Sequence, residues 1–384
     1  MNLSVTWTAA HSRRLERQSL TAPAKGSAPA DLALTAGAML GAHAQVLSAA
    51  ELSLCLRHES ADRADVRAAL WDAEALTKTY GPRGTVHLLP SAELPLWTGA
   101  LSALPTGPSP HPEGVRLDAE QTEQVVAAVA DALDGAFLTV DELTEAVVER
   151  TGPWAGELKM PAFQGMWPRW RTVTHLAAHR GALCFGPNRG RKVTYTRPPV
   201  AAPLPGDEAL AELVRRYLRA YGPATPQSFA KWLAAPPGWA VRLFAAQGER
   251  IERVVFDGAE AWVAAGDTEF PPEPARGLRL LPYFDAFGIA SHPRERLFPG
   301  RARERALAGG QAGNYPVLLV DDAVAGVWHL RRSGRRAVVT VESIGRRLTG
   351  SRLRDLEAQV RRVGEVVEAR AELVVGEVTV GAHA

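Results

Sequence analysis

Three groupings of side chains in this 384-residue chain have the types and spacings that chemistry needs. The first is a basic turn, where Arg331, Arg332, Arg335 and Arg336 surround Ser333-Gly334 between two strand-like runs. Four guanidinium groups so close together repel one another, and a polyanion nearby relieves that cost. The competing account is a charged edge that keeps strands from aggregating; nucleic-acid contact is the favoured reading. Arg189, Arg191 and Lys192 form a weaker version of the same feature, and Arg83 is a single charge at a third turn. The second grouping is His43 and Gln45, which flank Ala44 in an otherwise apolar, Ala-rich stretch. Their spacing alone does not make them catalytic, and a buried His and Gln satisfied by backbone groups is the default account. The third is His175 and His179, four apart on an expected helix. No Glu follows His175 and no third ligand is visible, so core or recognition-helix positions are the better account, and no metal is expected.

Composition narrows the classes. With 46% hydrophobic residues the chain is not disordered, and its length calls for more than one core. Two cysteines, Cys55 and Cys184, make neither a disulfide framework nor a four-ligand zinc site, which favours a reducing cytoplasm. The opening residues lack a basic-then-apolar signal pattern, and no run of about 18 apolar residues suggests a membrane span. There is no GxxxxGK[ST] loop, no GxSxG elbow and no CxxC pair, so no cofactor is expected. The net charge of +2 argues against a nucleic-acid partner until its distribution is examined. Residues 289–370 hold 16 Arg and 9 acids, a net of +7, which leaves −5 for the remainder. Only 5 of the 44 cations are lysine, in keeping with a GC-rich coding bias.

The elements that must position these groups follow a repeated plan. Pro/Gly-rich stretches at 105–114, 198–206 and 271–277 divide the chain into four blocks. In the first, Ser48-Ala-Ala-Glu51 reads as a capping box opening a helix through Leu56. A helix from about Asp65 to Lys78 follows, and then the hairpin TYGPRGTVHLL. In the second, Thr139 and Glu142 form a capping box, a later helix carries Trp170 to His179, and strand-like runs flank the turn at 186–191. In the third, Thr225 caps a helix with Pro226 at its first position, a helix spans 239–247, and Asp257-Gly258 turns a hairpin. Helix, turn, helix and two-stranded wing is the winged-helix plan, met three times. The fourth block is strand-rich at 317–320, 324–330 and 337–342, and ends in an amphipathic stretch from about 345 to 370. The expected fold is α+β, with winged helices at 1–104 (including N-terminal helices), 115–200 and 205–270, and a β-rich part at 275–384.

LGAHAQVLSAAELSLCLR followed by YGPRGTVHLLP resembles the DNA glycosylases of the AlkZ/YcaQ type. The resemblance continues through YGPATPQSFAKWL, LLPYFDAFGIASHPRERLF and NYPVLLVDDAVAGVWHLRR, and covers nearly the whole chain in the family's order. It implies three tandem winged helices and the β-rich part wrapped as a C-shaped DNA channel. It also implies a Gln-Φ-Gln or Gln-Φ-Asp catalytic motif, which here falls on His43-Ala44-Gln45. His43 departs from the commoner Gln, although a His-Φ-Gln form occurs in an AlkZ-like branch, and the departure bears on substrate range more than on reaction type. The hairpin at Arg331–Arg336 resembles the family's hairpin that reaches into the damaged duplex.

An N7-alkylated purine is cationic, so it departs as a neutral base without a general acid. What remains is to place a water and to stabilise an oxocarbenium-like sugar. Gln45 suits the water and His43 suits a partner or weak base. The lysines nearest this motif in sequence are Lys25 and Lys78, so hydrolysis without a lyase step is expected. The expected partner is duplex DNA carrying alkylated purines, bulky adducts or interstrand crosslinks, handled by a cytoplasmic, nucleoid-associated monomer with no obligate protein partner. The alternative is a non-enzymatic winged-helix transcriptional regulator, which would ordinarily dimerise on two half-sites.

Overall fold

The computed structural model describes residues 3–105, 107, 111–162, 165–198, 202–345 and 348–382. The linkers expected at 105–114 and 198–206 lie partly outside that set, as do residues 346 and 347 in the last amphipathic stretch. The chain forms two compact units, one of residues 1–73 and 214–384 and one of residues 74–213.

The first unit is assembled around arginines that face inward. Thr6 caps the helix Trp7–Arg17 by accepting from the Ala9 amide. Three cations on that helix would suit a solvated face, yet Arg14 is buried and donates to the carbonyls of Gly222, Pro223 and His292. Arg13 donates to the carbonyls of Asp267 and Glu269 and lies over the Phe270 ring at 3.5 Å. Each guanidinium gives loop carbonyls the donors that water would otherwise supply, which makes a basic helix buriable. Val5 and Trp7 from this segment join Phe256, Phe287, Leu319 and Val327 in one apolar core.

Two sheets complete the unit. Ser4–Val5 adds in parallel to the hairpin Ile251–Phe256 and Ala259–Ala264. Its turn is Asp257-Gly258, both with positive φ (50° and 87°), as a tight two-residue connection requires. The C-terminal sheet runs in the order Leu278–Leu281, Val317–Val320, Ala323–Ser333, Arg336–Ser343, Arg370–Val375. The last pair is parallel, and the helix Ser351–Val366 makes the crossover between its strands, burying Leu356, Val360 and Val363. The strand-rich reading of this part holds, with one strand added at each edge.

In the second unit Thr139 caps Val140–Thr151, accepting from the Glu142 amide while the Glu142 carboxylate accepts from the Thr139 amide. Hairpins Leu76–Tyr80/Val86–Pro90 and Cys184–Arg189/Lys192–Thr196 follow the expected turns. A third hairpin, Leu158–Ala162 with Gly165–Pro168, was not expected.

Two local readings are corrected. The helix expected to reach Lys78 is Arg63–Trp71, started by Asp62 and Asp65 in a reciprocal box. Glu74 turns at φ 50°, and Thr77 and Thr79 then favour a strand over a helix. Nor is Ser48 a cap: the helix is Leu47–Cys55, entered from Val46, and the Glu51 carboxylate is spent on Arg63 and Arg67 at 2.6 and 2.7 Å.

Burial also fixes a pH dependence. His11 packs against Trp7 and Phe287, and burial, with Arg14 and Arg279 nearby, pushes its pKa down to about 3. The unfolded chain takes up this proton near the ordinary value of about 6.5, whereas the folded chain resists it until about 3. The stabilisation is therefore complete above the ordinary value and is lost as pH falls through that window. Urea midpoints at pH 7.5 and 4.5 should fall less for His11→Phe than for the native chain. Equal falls would contradict this reading.

Candidate catalytic loop and basic hairpin

The chain enters the candidate loop from the helix Pro29–Ala38. Leu40 and Gly41 both take positive φ (59° and 97°) and reverse its direction. The Tyr221 hydroxyl fixes the turn by donating to the Met39 carbonyl at 2.6 Å. Ala42 and His43 are extended, Ala44 is buried at 1% exposure, and Gln45 bends outward to solvent before the helix Leu47–Cys55 begins. A small residue between His43 and Gln45 suits a backbone packed this closely.

The His43 ring is buried and stacks on Phe284, with centroids 4.8 Å apart and planes 24° apart. Phe284 holds φ at 54°, a conformation a bulky residue keeps only when its surroundings enforce it. The enforcement is visible on both sides. Its amide donates to the Gly313 carbonyl at 2.9 Å. The next residue, Asp285, is buried and receives both terminal nitrogens of Arg57 at 2.8 and 2.9 Å and the Ser53 hydroxyl at 2.7 Å. Asp285 also caps the helix Ala286–Ala290 through the Phe287 amide. One helix thus has His43 just before it and Arg57 just after it, and both reach the same dipeptide, Phe284-Asp285.

The basic hairpin is built on the longest strand, Ala323–Ser333, paired with Arg336–Ser343. Ser333 faces Arg336 across a two-residue turn in which Gly334 takes φ 58°. Arg331, Arg332, Arg335 and Arg336 are all exposed. Among the described residues none of the four pairs with a carboxylate. Side chains alternate along a strand, so Trp328, Leu330 and Arg332 share one face and His329 and Arg331 the other. The first three line a cavity of about 320 Å³ that is lined on its other side by Val46, Ala49 and Leu52. The residue after Gln45 and the hairpin's Arg332 are therefore walls of one space.

The other expected DNA contacts, Arg83, Arg189, Arg191 and Lys192, belong to the second unit. Arg83 occupies its hairpin turn at φ 62°. Arg189 is bound to the Glu142 carboxylate at 2.7 Å and Lys192 to Asp141 at 2.8 Å, whereas Arg191 is exposed at the turn. The His175 and His179 rings meet edge to face with centroids 5.8 Å apart, and burial lowers the pKa of His179 to about 4. Burial pushes both cysteine thiols up to about 12, so neither is a ready nucleophile. Sequence reasoning missed Phe284, Asp285, Arg57 and Ser53. The one available signal was an Asp just ahead of a short apolar run, the mark of a helix cap.

The buried, aromatic-backed His43 and the exposed Gln45 thus sit next to a residue, Val46, that shares a cavity wall with Arg332 of the basic hairpin. Residues 36–366 match the family described as DNA glycosylase AlkZ-like, and the chain belongs to that family. It is 31% identical over 343 residues to an interstrand DNA cross-link repair glycosylase of Streptomyces sahachiroi, covering 85% of this chain and 89% of that protein. The solved structure of the S. sahachiroi DNA glycosylase AlkZ superposes with a TM-score of 0.79 at 28% identity, covering 97% of this chain and all of that one.

The Arg57–Asp285 pair yields a stability test. Removing one member of a buried ion pair strands the other charge and costs about 3–5 kcal/mol. Arg57→Ala should lose stability of that order in urea unfolding, and Arg67→Ala, which removes an exposed partner of Glu51, well under half as much. Similar losses in the two variants would contradict the role given to Arg57.

Proposed function

We propose that this chain is a monofunctional DNA glycosylase that hydrolyses the N-glycosidic bond of cationic, N7-alkylated purines, including bulky adducts and interstrand crosslinks. The observation that carries the reading is the shared cavity: Val46, next to Gln45, and Arg332 of the basic hairpin line the same space. Family membership and the cross-link repair glycosylase among its relatives support DNA as the substrate. The three helix–helix–hairpin runs serve as tandem winged helices on the duplex, working as a monomer, with Arg83, Arg189, Arg191, Lys192 and the hairpin arginines as phosphate contacts.

The chemistry asks little of the protein. The C1′–N9 bond breaks with its electron pair leaving on the already cationic purine, which departs neutral. The sugar left behind is oxocarbenium-like. Gln45 accepts a hydrogen bond from a water through its amide oxygen and aims the water's oxygen at C1′. As the new C–O bond forms, the water's second proton passes to solvent or to His43. Phe284 holds the His43 ring in place, so the histidine is a positioned neighbour of the water rather than a mobile base. The lysines nearest the motif in sequence are Lys25 and Lys78, which favours simple hydrolysis over a Schiff-base step.

Two experiments test this. A His43→Ala, Gln45→Ala double variant should bind duplex DNA like the native chain. Its release of N7-methylguanine should fall by about 10²–10⁴-fold, measured as alkali-labile strand breaks. Undiminished release would sink the assignment, and specific binding of undamaged operator without cleavage would favour a regulator. Separately, replacing Arg331, Arg332, Arg335 and Arg336 with Ala should flatten the salt dependence of binding. The slope of log K against log [salt] should lose about 0.9 for each phosphate contact removed. An unchanged slope would show that the hairpin does not meet the backbone.

A further inference from the structure

The cavity between the motif helix and the basic hairpin has a lining that hydrolysis at Gln45 does not explain. Val46, Ala49 and Leu52 form one apolar side, and Trp328 and Leu330 form the other. The Trp328 indole is itself anchored, donating to the Leu281 carbonyl at 2.9 Å. At about 320 Å³ the space lies at the lower end of small-molecule sites, which span roughly 300–1,000 Å³. Its two guanidinium groups differ. Arg63 is committed to Glu51 at 2.6 Å, whereas Arg332 donates from Nε to the Gly334 carbonyl and keeps its terminal nitrogens clear of any carboxylate among the described residues.

A purine seated here would bring several ring nitrogens and an exocyclic group into a lining that is mostly hydrocarbon, and each unmatched polar atom would carry a desolvation cost. A planar hydrocarbon group carries no such cost. It would pack against the apolar wall at Val46 and Leu330 and stack on the flat, exposed guanidinium of Arg332, whose charge also suits the phosphate of the strand that bears the lesion.

We propose that this cavity is a subsite for the planar apolar substituent of a bulky purine adduct, separate from the water position at Gln45. The inference rests on the glycosylase reading above and adds a specificity element to it. Small adducts leave the cavity unused. Large aromatic ones gain affinity from it and are thereby drawn up to the His43-Ala44-Gln45 loop.

The test uses the full chain and two duplexes of one sequence, one with N7-methylguanine and one with N7-(2-naphthylmethyl)guanine. Ser48 lines the cavity at an exposed helix position, so Ser48→Trp fills the space with little demand on folding, and Leu330→Trp fills it from the opposite wall. Both variants should show tenfold or greater losses in affinity and in single-turnover release for the naphthylmethyl lesion. Release of N7-methylguanine should stay within twofold of the native rate, with melting temperatures showing that each variant is folded. Equal slowing of both lesions, or of neither, would overturn the proposal. Greater slowing of the methyl lesion would assign the cavity to the base instead. If the native chain releases neither base, the glycosylase reading fails, and the affinity arm still decides the subsite. A native preference for the naphthylmethyl duplex that both variants lose supports it, and no preference refutes it.

Discussion

The buried ion pair between Arg57 and Asp285 is the constraint on which the candidate site depends. It joins positions 228 residues apart, and both partners lie almost wholly out of solvent. Burying two charges costs several kcal/mol per ion before their attraction is counted, so such a pair is weak evidence of added stability. Its value here is geometric. The bidentate contact fixes Asp285, Asp285 caps a short helix, and the preceding residue is left with its ring against His43. Loosening that contact would remove one of the two restraints on Phe284, leaving its amide bond to the Gly313 carbonyl, and would loosen the ring stacked on His43.

Arginine performs two distinct tasks in this chain, and exposure separates them. Arg13, Arg14, Arg57, Arg279 and Arg362 are turned inward, where they serve loop carbonyls and a carboxylate. Arg362 brings the C-terminal helix to the end of the motif helix by donating to the carbonyls of Cys55 and His58. The surplus charge counted over 289–370 therefore overstates what faces solvent, since Arg294, Arg305, Arg352 and Arg362 are all internally engaged. Four of the exposed arginines, Arg331, Arg332, Arg335 and Arg336, fall within six residues at the hairpin tip, and the others, among them Arg301, Arg303, Arg354 and Arg361, lie elsewhere in the segment.

How far the sequence foretold this arrangement depends on the range of the interaction involved. The Thr139–Glu142 box, Thr225 with Pro226, and the Asp257-Gly258 and Gly334 turns are decided by hydrogen bonds and φ preferences within a few residues, and all were legible. Ser48 and Glu51 imitate a cap, but Glu51 is claimed by arginines 12 and 16 positions away, and no local rule could show that. The loop His43-Ala44-Gln45 was located through family resemblance, since its spacing carries no signal of its own. What holds it could not be found locally, because Phe284 and Asp285 meet it only after the intervening chain has folded. The cavity is a tertiary product too, although the alternation that sets Trp328, Leu330 and Arg332 on one face is written in the strand.

In the proposed mechanism the loop at His43-Ala44-Gln45 and the hairpin at Arg331–Arg336 serve one lesion, the loop at its sugar and the hairpin at the flanking phosphates. A crystal structure of the chain with a duplex carrying a 1′-azaribose, a cationic mimic of the oxocarbenium sugar, tests it most directly. A water should be held between the Gln45 amide oxygen and the mimic's C1′-equivalent nitrogen, with hairpin guanidinium groups on the flanking phosphates. A mimic bound beyond reach of Gln45, or a hairpin clear of the DNA, would contradict it.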